Sequence, residues 1–172
     1  MANGPRYAVK FRRRREGKTD YRRRLALLKS HQTRMVVRRT NTRTIVQFVD
    51  FDPKGDIVRA AATSQELKAF GWPQGHSNTP SSYLAGLLAA RRAVKAGVKE
   101  AVLDLGLSMP VGGGGLFAAL KGALDGGVKV PHAPDVLPAK ERLEGAHINP
   151  SLKAPFDAAR KQILGDERGD RP

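Results

Sequence analysis

The chain has 172 residues, 31 of them lysine or arginine against 16 aspartate or glutamate, and carries a net charge of +15. Up to Arg43 it holds 15 basic and 2 acidic residues, a local charge of +13, so the remainder is nearly balanced and the basicity belongs to one end. Such an asymmetry points to an electrostatic arm for a polyanion. With no cysteine, disulfide scaffolds, thiolate zinc sites and cysteine nucleophiles are excluded. No window approaches eighteen uninterrupted apolar residues and no signal-peptide pattern opens the chain, so a soluble cytosolic protein without a membrane partner is expected. The arm has no tryptophan and no serine before Ser30, unlike a membrane anchor or a transit peptide.

Residues 1–18 show no apolar period and contain Gly4, Pro5 and Gly17, so they read as a basic arm with little structure of its own. Thr19 or Asp20 then caps a helix in which Tyr21, Leu25 and Leu28 recur at i, i+4 and i+7. This spacing predicts that LALL docks the helix on a core, leaving Arg22, Arg23 and Lys29 on other faces. From Arg34 the texture becomes MVVRRT, TIVQFVDF and DIVRAA, three β-branched stretches separated by Asn41-Thr42 and by the Pro53-Lys54-Gly55 turn. An antiparallel meander follows from this.

Thr63 to Glu66 has capping-box spacing, and Gly71 stands where a short helix would stop. Asn78-Thr79-Pro80 opens a longer helix carrying Leu84, Leu87 and Leu88 among alanines, ending at Gly97. Ala101 to Leu105 is an apolar run expected as a strand covered on both faces. A glycine-rich turn, a helix from about Leu116 to Leu124 and a short Val128–Val130 strand would complete a βαβ-like unit. One further helix is expected near Pro155 to Leu164. The predicted fold class is α/β: a mixed sheet with an antiparallel meander followed by alternating helices and strands, a basic N-terminal arm and a C-terminal helical tail. The corresponding divisions are residues 1–18, 19–135 and 136–172.

Gly112 to Gly115 lies between a strand and a helix, where backbone N–H groups hold phosphates, but neither a Walker lysine nor a GxGxxG pattern accompanies it, so no nucleotide cofactor is expected. Asp50, Asp52, Asp56 and Asp104 would need to converge to hold two metal ions; three of them flank a turn, where aspartate makes local hydrogen bonds. His31, His76, His132 and His147 have no metal-ligand spacing, and no serine lies in GxSxG. Neither a cofactor, a metal nor a catalytic residue is therefore expected. Arg38, Arg39 and Arg43 surround Asn41 beside an arm that already carries most of the charge, a setting for RNA contact.

The segments TDYRRRLALLKSHQTRMVVRRTNTRTIVQFV (Thr19 to Val49), ELKAFGW, SSYLAGLLAARRAVKAGVKEAVLDLGL and VPHAPDVLP, in that order, resemble the archaeal form of the large-subunit ribosomal protein L eighteen family, binders of 5S ribosomal RNA. The similarity runs from about Pro5 to Asn149. It implies a non-catalytic component of the large subunit's central protuberance that holds 5S rRNA against the large-subunit rRNA beside neighbouring ribosomal proteins. By position, the implied RNA-binding residues are Arg12, Arg13, Arg14, Arg15, Lys18, Tyr21, Arg22, Arg23, Arg24, Arg38, Arg39, Asn41 and Arg43. The match departs at Val111 to Gly115, where relatives carry polar or basic residues, and in the tail after Asn149. Two other readings stay open on the residues alone. One is a magnesium-dependent nucleic-acid-processing enzyme of ribonuclease-like fold using Asp104 and the turn aspartates. The other is a non-ribosomal basic nucleic-acid-binding module.

Overall fold

The β-branched stretches form the meander expected of them. In the computed structural model, which describes residues 4–73 and 75–165, β1 (Arg34–Arg39), β2 (Thr44–Asp50) and β3 (Ile57–Thr63) run antiparallel. The β1–β2 turn is closed by a hydrogen bond from the Thr40 N–H to the Arg43 carbonyl at 2.8 Å, leaving Asn41 and Thr42 at the tip. A fourth strand, β4 (Val102–Asp104), pairs in parallel with β1 and gives the order β3-β2-β1-β4. A register shift at Phe48/Val49 marks a bulge opposite β3.

Alternation along the strands sorts the two faces. Met35 and Val37, Val46 and Phe48, and Ala60 and Ala62 point into the core. Arg34, Val36 and Arg38 point to the opposite face. The core face is covered by α3 (Thr79–Lys95) and α4 (Gly115–Asp125). Asn78 caps α3 by accepting a hydrogen bond from the Ser81 N–H at 2.9 Å, and Gly97 follows its end at φ 84°. The small face of α3 closes on α4 as well as on the sheet. A Cβ built on Gly86 would lie 2.0 Å from the Ala119 carbonyl oxygen, and one on Gly122 would lie 2.1 Å from that of Tyr83. The predicted capping box is present on a 3₁₀ helix, Ser64–Phe70, where the Thr63 N–H donates to the Glu66 carboxylate at 2.7 Å and Gly71 closes the end at φ 73°.

Four expectations are corrected. The arm contains one helical turn, α1 (Arg12–Arg15), because Arg14 and Arg15 both donate their N–H groups to the Phe11 carbonyl at 3.0 Å. The helix α2 (Tyr21–Leu28) forms under an Asp20 cap, but it has no buried residue and Leu25 is 57% exposed, so LALL does not seat it on a core. The strand β4 is a three-residue edge strand with Val102 and Leu103 only half-buried, rather than one covered on both faces. Val128–Val130 contributes only an isolated parallel bridge between Lys129 and Glu100.

The tail carries α5 (Lys140–Glu144) in addition to the expected helix, which is α6 (Lys153–Gly165). Leu143, Phe156, Ala159 and Ile163 join the same apolar cluster as the sheet and α3, and the Phe156 ring meets Tyr83 at 5.4 Å. The first three residues of the expected arm and the last seven of the expected tail lie outside the described residues.

Candidate nucleic-acid interface

On the sheet face opposite α3, the alternation of β1 places Arg34 and Arg38 beside Asp104, which sits opposite Val36 in the parallel register with β4. Arg34 is 2% exposed, and a guanidinium cannot shed its charge, so burial at this position requires anions. It has two: Nη1 donates to Asp104 at 3.1 Å and Nη2 to Asp56 at 2.6 Å. Asp104 also accepts from Arg38 Nη2 at 3.0 Å and from the Gly106 N–H at 2.8 Å. Asp56, just before β3, accepts from Arg24 of α2 at 2.9 Å. Burial alone would raise the Asp56 pKa; hydrogen bonds and positive charge from Arg24 and Arg34 outweigh it and hold the carboxyl below its ordinary value. Three arginines and two aspartates thus form one chain, Arg38–Asp104–Arg34–Asp56–Arg24, which ties α2 to the sheet where its own Leu27 and Leu28 are only half-buried.

Between α2 and this face lies an open cleft of about 840 Å³. Arg13, Lys18, Arg23, Arg24 and Arg38 line it together with Val36, Gln47, Val49 and Val58 of the sheet and the turn after β4. Of the residues expected at an RNA interface, Arg13, Lys18, Arg23, Arg24 and Arg38 are therefore brought together. Arg12 and Lys18 pair with Glu16, at 3.7 and 2.9 Å, on the surface. Arg14, Arg15 and Arg22 are exposed and make no side-chain hydrogen bond or ion pair among the described residues. Tyr21 is half-buried against Phe11.

The hairpin residues Arg39, Asn41 and Arg43 do not line the cleft. Arg39 donates to the Ser77 carbonyl at 2.6 Å through Nη2, Arg43 reaches Gln65 at 3.3 Å, and Asn41 is exposed at the tip. Arg43 lies in the loop one residue before β2. Sequence reasoning missed Arg34 and Asp56 as members of the charge chain. The available signal was the charged Arg34 at the start of an otherwise apolar strand.

The turn aspartates do not converge. Asp50 accepts from Thr33 at 2.6 Å and from Arg59 at 2.6 Å, and the Thr33 bond, with the Arg59 contact against a counteracting burial effect, keeps its pKa low. Asp52 accepts from the Lys54 N–H at 2.8 Å in its own turn. The Gly112–Gly115 segment is pinned by the Gly113 N–H donating to the Val136 carbonyl at 3.0 Å.

Residues 5–99 match the model of a family described as "Ribosomal large subunit proteins 60S L5, and 50S L18". The chain belongs to this family. It is similar to the large ribosomal subunit protein uL18 of Korarchaeum cryptofilum, with 59% identity over 148 residues, 86% of this chain and 76% of that protein. It is also similar to uL18 of Methanoregula boonei, with 51% identity over 148 residues, 86% of this chain and 85% of that protein. For a uL18-family chain, a structural protein of the large ribosomal subunit rather than an enzyme, the buried carboxylates have a sufficient role as partners of arginine. The archaeal-type resemblance seen in the sequence is thereby established.

Proposed function

We propose that the chain binds 5S rRNA and attaches it to the large-subunit rRNA of the central protuberance, beside neighbouring ribosomal proteins. The observation that carries this reading is the partition of charge: 15 of the 31 basic residues occur by Arg43, and five of them, Arg13, Lys18, Arg23, Arg24 and Arg38, from the arm, α2 and the sheet, line one cleft. Folded RNA is recognised mainly through shape, phosphates and 2′-hydroxyls, which suits guanidinium groups held at fixed positions. Arg12 to Arg15, Lys18 and Arg22 supply charge. Arg23, Arg24, Arg38, Arg39, Asn41, Arg43 and Tyr21 supply a shape to which one RNA site is matched.

The test is binding to 5S RNA and to a scrambled RNA of equal length across a salt series. With about ten phosphates engaged, log affinity against log salt should have a slope of about −7 to −9. Deleting residues 1–18 removes seven of the fifteen basic residues, and should flatten the slope by up to about five or six while keeping the preference for 5S RNA. Replacing Arg39 and Arg43 by alanine should change the slope by no more than about two and erode the preference. The assignment is reversed if arm deletion abolishes selectivity while the hairpin variant retains it. A wild-type chain that binds both RNAs equally refutes the 5S reading.

A further inference from the structure

Phe11 has no part in the interface drawn from charge. Its ring is 72% exposed, although it stands beside four consecutive arginines where a polar residue would be expected. The ring is not loose. It packs against Tyr21 of α2 with centroids 5.3 Å apart and planes tilted by 51°. The backbone under it is fixed by the Arg14 and Arg15 N–H groups on its carbonyl, both at 3.0 Å. Arg13 Nε donates to the Thr19 hydroxyl at 2.8 Å, and the Lys18 N–H to the Arg13 carbonyl at 2.8 Å, so the turn is fastened to the start of α2. The phenyl is thus backed by an aromatic ring and otherwise open, and four arginines follow it directly in the chain.

We propose that Phe11, supported by Tyr21, is a stacking platform for an unpaired nucleobase of the bound RNA. This rests on the RNA-binding function above and adds a contact of different chemistry to it. A phenyl ring offers a phosphate nothing, whereas every base has a π-face, and stacking on an aromatic side chain is sequence-tolerant. The charge around the ring selects the occupant. Arg12, Arg13, Arg14 and Arg15 lie directly after it in sequence, so a polyanion that also presents flat apolar rings fits, while an apolar protein surface or a lipid chain would leave those charges without counterions. The platform is set before binding, so little ordering cost opposes the stack.

Phe11→Leu, Phe11→Ala and Phe11→Trp, each in the full chain, separate a base stack from a mere clasp on Tyr21. Leucine keeps an apolar contact but has no π-face. Both the leucine and alanine variants should bind 5S RNA about five- to a hundredfold more weakly, with the salt slope unchanged because no phosphate contact is lost. Tryptophan should bind as tightly as wild type, and its emission should be quenched on adding RNA; the wild-type chain, whose sole tryptophan Trp72 is 2% exposed, is the blank. Circular dichroism and melting temperature should match wild type in all three, since Phe11 is outside the core. Wild-type affinity in Phe11→Leu, or tight binding of Phe11→Trp without quenching, overturns the platform, and a protein or lipid partner for the ring would produce that pattern. If wild type fails to prefer 5S RNA, only the 5S reading falls, and the same comparison on the scrambled RNA decides the platform.

Discussion

Replacing Asp104 by asparagine is expected to lower the unfolding free energy by about 3 kcal/mol. The Asp104 side chain is 8% exposed and receives three donors: Arg34 at 3.1 Å, Arg38 at 3.0 Å and the Gly106 N–H at 2.8 Å. Asparagine removes the charge and turns an NH₂ group toward one of the two guanidinium donors, which then loses its acceptor at that nitrogen. Removing one partner of a buried pair costs about 3–5 kcal/mol, because the other charge stays in a medium that solvates it poorly. The low end applies here, since Arg34 keeps Asp56 at 2.6 Å and Arg38 is 41% exposed to water. For a chain of this size the loss corresponds to a melting temperature lower by about 6–12 °C. Urea unfolding followed by circular dichroism should show a lower midpoint with an unchanged slope, which separates a stability change from a change in the unfolded state. At temperatures where the variant is folded, preference for 5S RNA should persist. A loss below about 1 kcal/mol would place Asp104 among ordinary surface ion pairs and refute the charge chain as the support of α2.

Gly86→Ala should lower the melting temperature, since the added methyl meets the Ala119 backbone at 2.0 Å; the overpacking cost of about 1–3 kcal/mol outweighs a helix-propensity gain of at most about 1 kcal/mol. An unchanged or raised value would show that α3 and α4 part freely. Burial, then the hydrogen bond to Asp125 at 2.8 Å, raises the Tyr83 pKa above its ordinary value. That contribution is fully present below about pH 10 and is lost as pH rises from there toward the folded value, so Tyr83→Phe should flatten the alkaline fall in stability; parallel falls would refute it. The lowered Asp56 pKa has the opposite sign, with its contribution present above about pH 4 and lost as pH falls through the folded value. Titration of the Asp56 carboxyl by nuclear magnetic resonance should therefore give a midpoint below the ordinary aspartate value, and one at or above about 4 would break the proposed tether.

What the sequence made legible was local. The meander, the capping box at Thr63, the Asn78 cap and the alanine-rich α3 each follow from residues within a few positions of one another. LALL was misleading because a helical period shows which side of a helix is apolar, not whether a core receives it; here Leu25 stays 57% exposed and Arg24 carries the contact instead. Alternation in β1 put Arg34 and Arg38 on the face away from the core. Nothing in it showed that Asp104, seventy positions after Arg34, would arrive through a parallel pairing, nor that Asp56 would turn inward from its loop. At the candidate interface the sequence identified Arg24 and Arg38 but not Arg34, and it named Asp56 and Asp104 without showing that they hold these cations. The Val128–Val130 run failed for a related reason, since a strand requires a partner edge and only Glu100 meets it, at Lys129.

Those anions limit how much of the chain's charge an RNA receives. Of the fifteen basic residues up to Arg43, Arg34 is sealed at 2% exposure and reaches no phosphate. Arg24 and Arg38 are held by Asp56 and Asp104 at 2.9 and 3.0 Å. Setting these three aside leaves twelve. Pairs such as Arg12–Glu16, with the Arg12 side chain 72% exposed, hold their cations weakly and yield them to a phosphate at little cost. A slope near −7 to −9 thus requires most of the twelve to act together. Twelve cations set a limit of about −11 at the duplex coefficient. A measured slope steeper than that would mean either that some of the sixteen basic residues after Arg43 also meet phosphates, or that Arg24 and Arg38 exchange their aspartates for phosphates, releasing α2 from the sheet as RNA binds; alanine at Arg24 and Arg38 flattens the slope only in the second case. A slope at or inside it leaves the charge chain intact in the complex, with α2 presented to RNA at the angle the free protein already gives it.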